Sequence, residues 1–175
     1  STTKTQFPIK QSNFNLEQFL GSKELAKSFE GGIIMIFRLA PHDYHRFHFP
    51  LDCTPSPAKV IHGRYESVNP LVYHMGIQPL TENERHLMLL ETPSCGTAAM
   101  VSVGALCVGK IIETYTASSF YAKGMEAGYF CFGGSTVALI FKKNMITVDQ
   151  KLYDHSRQGQ ETPIKMGVRI ATIIQ

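Results

Sequence analysis

The stretch GYFCFGGSTVALIF, residues 128–141, decides how this chain is read. Two β-rich apolar runs flank Gly133 and Gly134, and Ser135 and Thr136 follow at once. Adjacent glycines tolerate positive φ and commonly close a tight hairpin. The same residues admit a chemical reading. A glycine carbonyl has no side chain beside it, so the Ser135 hydroxyl can approach the carbonyl of Gly134. With a general base near Ser135, attack on that carbonyl would form an ester. GGST alone does not choose between turn and chemistry.

Outward from this stretch, IIMIFRL (33–39), RHLMLLET (85–92) and AAMVSVGALCVGKIIETY (98–115) are apolar runs that read as strands. KVIHGRYESV (59–68) alternates loosely, as a half-exposed strand does. FNLEQFLG (14–21) reads as a short helix with Asn15 as N-cap and Gly21 as its stop. Pro41 suits the first position of a helical turn, and Pro50, Pro55 and Pro57 break regular structure after it. The C-terminal part, 147–174, holds one short helix or turn and a closing strand. Many short strands punctuated by Gly and Pro predict a mainly β fold of sandwich or barrel type, α+β with few short helices. No repeat or linker divides the chain, so 1–175 reads as one domain.

Composition narrows the function. The 175 residues suffice for one core, with 43% hydrophobic and 18% charged residues. The net charge of +3 and the absence of any Lys/Arg cluster argue against nucleic acid as a partner. Cys53, Cys95, Cys107 and Cys131 are scattered without a C-x-x-C pair and read as reduced core residues, neither disulfides nor a zinc site. No signal peptide opens the sequence, and its longest apolar runs are strand-sized, below the ~18 residues of a membrane-spanning helix.

Two further segments carry candidate chemistry. RLAPHDYHRFHFP (38–50) places His42, His45 and His48 three apart. On a helical turn His45 and His48 would share a face and could converge on one point. One short run cannot surround an ion, so no metal is expected there. The alternative is a set of surface or core histidines. Asn69, Asn83, Glu84 and Arg85 lie in NPLVYHMGIQPLTENERHLMLL. They read as a solvated turn before a strand, or as a carboxylate–guanidinium pair shaping a pocket for a charged head group.

Taken together and in order, these segments closely resemble the phosphatidylserine decarboxylase family. RLAPHDYHRFHFP is similar to its histidine motif, and GRYESVNPLV, ENER, VSVGALCVGKI and KGMEAGYFCFGGSTV follow in the expected order. FNLEQFLG and DHSRQGQETPIKMGVRI extend the likeness to nearly the whole chain. The resemblance implies a barrel-sandwich, lipoyl-like β architecture. It implies self-cleavage of the Gly134–Ser135 bond, giving a β-chain of 1–134 and an α-chain of 135–175 that begins with a pyruvoyl group made from Ser135. By residue matching, His48 is the base that activates Ser135, His45 serves decarboxylation, and His42 is a surface residue. The pyruvoyl group would form a Schiff base with the amine of phosphatidylserine, accept the electrons left by carbon dioxide and release phosphatidylethanolamine. Peripheral association with a membrane surface and a homodimer of processed protomers are also implied. The family's upstream S-P-x-D-G-type motif, whose aspartate orients the base histidine, does not occur in this sequence. Two alternatives remain at this point: a pyruvoyl enzyme for a soluble amino acid, and a non-catalytic lipoyl-like binding domain.

Overall fold

The computed structural model describes residues 14–69, 77–105, 110–131 and 135–174. Its centre is β9 (Ser135–Phe141), whose seven residues are all buried. A strand buried on both faces needs a layer above and below it, and both are present. β9 pairs antiparallel with β1 (Ile33–Leu39) on one side and β6 (Gly96–Val103) on the other. β6 pairs with β5 (Arg85–Thr92), and β5 with the short edge strands β3 (Thr54–Pro55) and β4 (Lys59–Ile61), completing a six-stranded sheet.

Alternation along these strands sends side chains to two different cores. Leu87, Val101, Ala138 and Ile140 meet Phe19, Leu20, Phe29 and Leu80 from a helical layer. That layer consists of α1 (Leu16–Leu20), α2 (Lys23–Ser28) and α3 (Pro79–Glu82). The expected caps of α1 are present: Asn15 Oδ1 accepts from Gln18 N at 3.0 Å, and Gly21 is left-handed at φ 60. On the opposite face Met88, Met100, Leu139 and Phe141 pack with Phe47, Phe49, Ile111 and Phe130. These come largely from a second sheet of β2 (Arg46–His48), β8 (Glu126–Cys131) and β7 (Lys110–Glu113), with β8 in the middle. A two-stranded sheet, β10 (Ile146–Val148) with β11 (Ala171–Ile173), brackets α4 (Gln150–Arg157).

The architecture is therefore α+β in three layers, and it corrects the barrel-sandwich expectation: no sheet among the described residues closes into a barrel. A small closed barrel buries one face of each strand, whereas here helices bury the other face of the main sheet as well. The opening stretch is not a hairpin either. β8 and β9 belong to different sheets and do not pair. Residues 132–134, with Phe132, Gly133 and Gly134, lie outside the described residues.

Two other strand readings change. The run 98–115 is split, because β6 ends at Val103 in one sheet and β7 begins at Lys110 in the other. Gly104 N donates to Glu84 O at 2.9 Å as the chain leaves β6, and Cys107 lies outside the described residues. Of 59–68, only Lys59–Ile61 is a strand. At Gly63 the chain presses onto a backbone, where a Cβ would stand 2.3 Å from Glu82 O. Cys53 and Cys95 are free and buried, and Cys131 is free but only half-buried.

Candidate active site

Ser135 is the first residue of β9, directly opposite Leu39 of β1, and has no exposed surface. It shares a face with Val137, so its side chain points into the space between the two sheets. His45 enters from the other sheet. It precedes β2, and its carbonyl accepts from Phe130 N of β8 at 2.9 Å. Its Nδ1 lies 3.2 Å from Ser135 Oγ. The two groups, 90 residues apart in sequence, meet across the sheet interface.

The second ring nitrogen fixes the tautomer. His45 Nε2 is 3.3 Å from Pro41 O, an acceptor that requires Nε2–H as donor. Nδ1 is then the bare nitrogen, and Ser135 Oγ–H donates to it. Pro41 O is presented by a tight turn in which Asp43 N donates to Ala40 O at 2.9 Å and Ala40 N donates to Asp43 Oδ2 at 2.7 Å. Serine, histidine and a third group that orients the histidine form a general-base arrangement, here with a backbone carbonyl in the third place.

His48 is placed elsewhere. Arg46–His48 is strand, not helical turn, and its pairing with β8 shifts register between Phe47 and His48. The two histidines do not converge. His48 Nδ1 lies 3.0 Å from Gly124 O, so it carries the proton, and Tyr44 OH donates to the bare Nε2 at 3.0 Å. The Tyr44 ring also stacks on the imidazole at 5.8 Å between centroids. Beside His48, Arg46 donates to Glu126 at 2.7 Å and holds that carboxyl below the usual carboxylate range. His42 is a surface residue with 86% of its side chain exposed. Asp52 Oδ1 accepts from Lys123 N at 2.7 Å.

The ENER segment is not a solvated turn: Asn83 and Arg85 are buried and Glu82 and Glu84 half-buried. Asn83 has no exposed surface; its amide donates to Glu66 O and Gly104 O, each at 2.7 Å, and accepts from Glu66 N at 2.9 Å. Arg85, 3% exposed, turns away from Glu84 and donates to Phe19 O at 3.0 Å, Gln18 O at 3.2 Å and Asn83 O. It caps the C-terminal turn of α1. Sequence reasoning missed the role of Pro41 O, since a backbone acceptor leaves no residue-type signal, and missed Tyr44, although it sits inside the quoted histidine run. Among the described residues no helix is long and apolar enough to cross a membrane.

Comparison with known proteins bears directly on this constellation. The family model described as "Phosphatidylserine decarboxylase" matches residues 1–172. This chain belongs to the phosphatidylserine decarboxylase family. It is 44% identical over 162 residues to a phosphatidylserine decarboxylase proenzyme of Fusobacterium nucleatum, an alignment covering 93% of this chain and 54% of that protein. The Chlamydia pneumoniae proenzyme shows the same identity and coverage, and that of Clostridium novyi is 42% identical over 164 residues, 94% of this chain and 56% of its own length. The chain thus spans about half the length of the curated relatives it matches.

Proposed function

We propose that this chain carries the self-processing centre of a pyruvoyl-dependent phosphatidylserine decarboxylase, which converts phosphatidylserine to phosphatidylethanolamine and carbon dioxide. The observation that carries the reading is the contact of His45 Nδ1 with the buried Ser135 Oγ at 3.2 Å, in a member of this family.

The first step draws on Ser135 and a histidine of this chain. Ser135 Oγ gives up its proton to a histidine and bonds to the Gly134 carbonyl carbon. The peptide C–N bond breaks as its nitrogen takes a proton, leaving an ester. A base then takes the Cα proton of residue 135 as the Oγ–Cβ bond breaks, which frees the Gly134 carboxylate and leaves a dehydroalanine at 135. Uptake of one water and loss of one ammonia convert that residue to a pyruvoyl group. The site fits this group, because it is built from Ser135's own three carbons in the space that residue already fills. A pyruvoyl carbonyl supplies an electron sink for decarboxylation of an amine-bearing substrate. His45, adjacent to residue 135, is placed to return a proton at the reacting carbon.

For the initial proton transfer two assignments are set against each other. The family pattern gives it to His48, with His45 reserved for decarboxylation. The contact favours His45, because His48's bare nitrogen is occupied by Tyr44. Mass spectrometry of the full polypeptide separates them. His48→Ala remains uncut and His45→Ala is cut but inactive under the first assignment; if His45 is the base, His45→Ala remains uncut and His48→Ala is cut. Under either, the wild type shows a break after Gly134 and a blocked terminus at 135, and Ser135→Ala shows neither break nor activity. An active, uncut polypeptide would refute the reading. The substrate implied is a lipid met at a membrane surface by peripheral association, and processed protomers are expected to pair as a homodimer.

A further inference from the structure

The two reacting side chains sit on different sheets, so whatever fixes the sheets relative to each other fixes their approach. A second polar strut joins the same two sheets. His86 of β5 hydrogen-bonds through Nδ1 to Glu113 Oε1 of β7. In the main sheet His86 lies on β5 and Ser135 on β9, separated by β6. In the small sheet Glu113 lies on β7 and His45 enters β2, separated by β8. The struts are therefore two strands apart in each sheet, about 10 Å. From these positions we infer that the His86–Glu113 pair is a latch between the sheets and that His86 is a positioning residue for the His45–Ser135 encounter. This rests on Ser135 being the processed residue and, for its effect on cleavage rate, on His45 taking the serine's proton.

The surroundings of His86 suit a charged imidazole. It is 8% exposed. Glu84 Oε1 lies 3.8 Å from Nε2, opposite the Glu113 bond. Tyr65 OH donates to Glu84 Oε1 at 2.6 Å, and His62 Nδ1 is 3.5 Å from Glu84 Oε2. Ser102 of β6 stands directly opposite His86, fully buried, with a hydroxyl that has no hydrogen-bond partner among the described residues. Burial pulls the His86 pKa down, but the hydrogen bond to Glu113 and the charges of Glu113 and Glu84 outweigh it, so the value is raised. A raised folded-state pKa means that the latch is fully made below the ordinary histidine value and lost as pH climbs through the raised one.

The test uses the full polypeptide and two readouts. Self-cleavage rate is followed against pH in the wild type, in Glu113→Gln and in the double variant His86→Leu/Glu113→Leu, whose apolar pair replaces the ion pair without leaving a buried charge unpartnered. Amide exchange at Phe130, whose N–H bonds to His45 O, is followed in parallel and reports the seating of His45 whether or not cleavage occurs. Expected are an alkaline fall in wild-type cleavage, its displacement to lower pH in Glu113→Gln, and its absence in the double variant. That variant is expected to cleave roughly ten- to a hundredfold more slowly, as for a small misplacement of reacting groups, with Phe130 less protected at every pH. An uncut wild type with pH-dependent Phe130 protection would sink the processing reading and leave the latch standing. Phe130 protection unchanged in both variants, with any wild-type cleavage profile retained, would overturn the latch.

Discussion

Replacing Arg85 by methionine separates scaffold from substrate binding at the segment whose sequence suggested a head-group pocket. The guanidinium donates to three carbonyls: Phe19 O, Gln18 O and Asn83 O. Methionine keeps much of the volume and removes all three donors, so the cost is lost hydrogen bonding rather than an open cavity. At about 1 kcal/mol for each net bond the loss is about 3 kcal/mol. Relief of the buried charge, which burial already drives toward its neutral form, works against that figure, and the carbonyls left without a donor work the other way. For a domain of this size a loss of about 3 kcal/mol corresponds to a fall in Tm of roughly 6–12 °C. The assay is thermal unfolding with amide exchange across α1, whose protection falls first because its C-terminal carbonyls lose their cap. Phosphatidylserine KM is measured at a temperature where the variant is folded, and stays unchanged. A Tm within about 2 °C of wild type, joined to a raised KM, would refute the scaffold assignment and return Arg85 to the substrate.

Two further outcomes follow from the geometry. His45 and His48 are opposite tautomers, Nε2–H and Nδ1–H, because each gives its proton to a carbonyl through a different nitrogen. Nitrogen NMR of the labelled protein reads this directly, and a common tautomer would contradict the two orientations. Gly128→Ala is expected to destabilise the protein by about 1–3 kcal/mol, the overpacking range, since a Cβ there would stand 2.2 Å from Ile112 O and 2.5 Å from Phe47 Cζ. Chemical denaturation measures it, and an unchanged midpoint would mean that the β2–β8–β7 sheet yields more easily than its packing implies.

Local signals in the sequence served well where local forces decide. Asn15 and Gly21 marked the ends of α1, and the apolar runs 33–39 and 85–92 became strands over those very spans. Readings that depended on distant partners failed. Asn83 and Arg85 have the polarity of a solvated turn, yet Arg85 is buried by carbonyls 66 and 67 residues away in sequence. The apolar run 98–115 carries no mark of the point where it changes sheet. Helical spacing suggested that His45 and His48 converge, but the segment is extended, with a register shift that sends them to different partners. Ser135 and the histidine run were legible as chemistry; which histidine meets the serine was set by how the two sheets face each other.

Ser135 heads a strand held on one side by β1 and on the other by β6. A cut at its N-terminal side therefore leaves the smaller piece clamped through seven consecutive positions along β1 and five along β6. The folded form keeps both of these ladders when it is cut, but its unfolded form becomes two separate molecules. Unfolding then turns from a unimolecular event into a dissociation, and the processed protein's melting temperature comes to depend on its concentration, as that of an obligate heterodimer does.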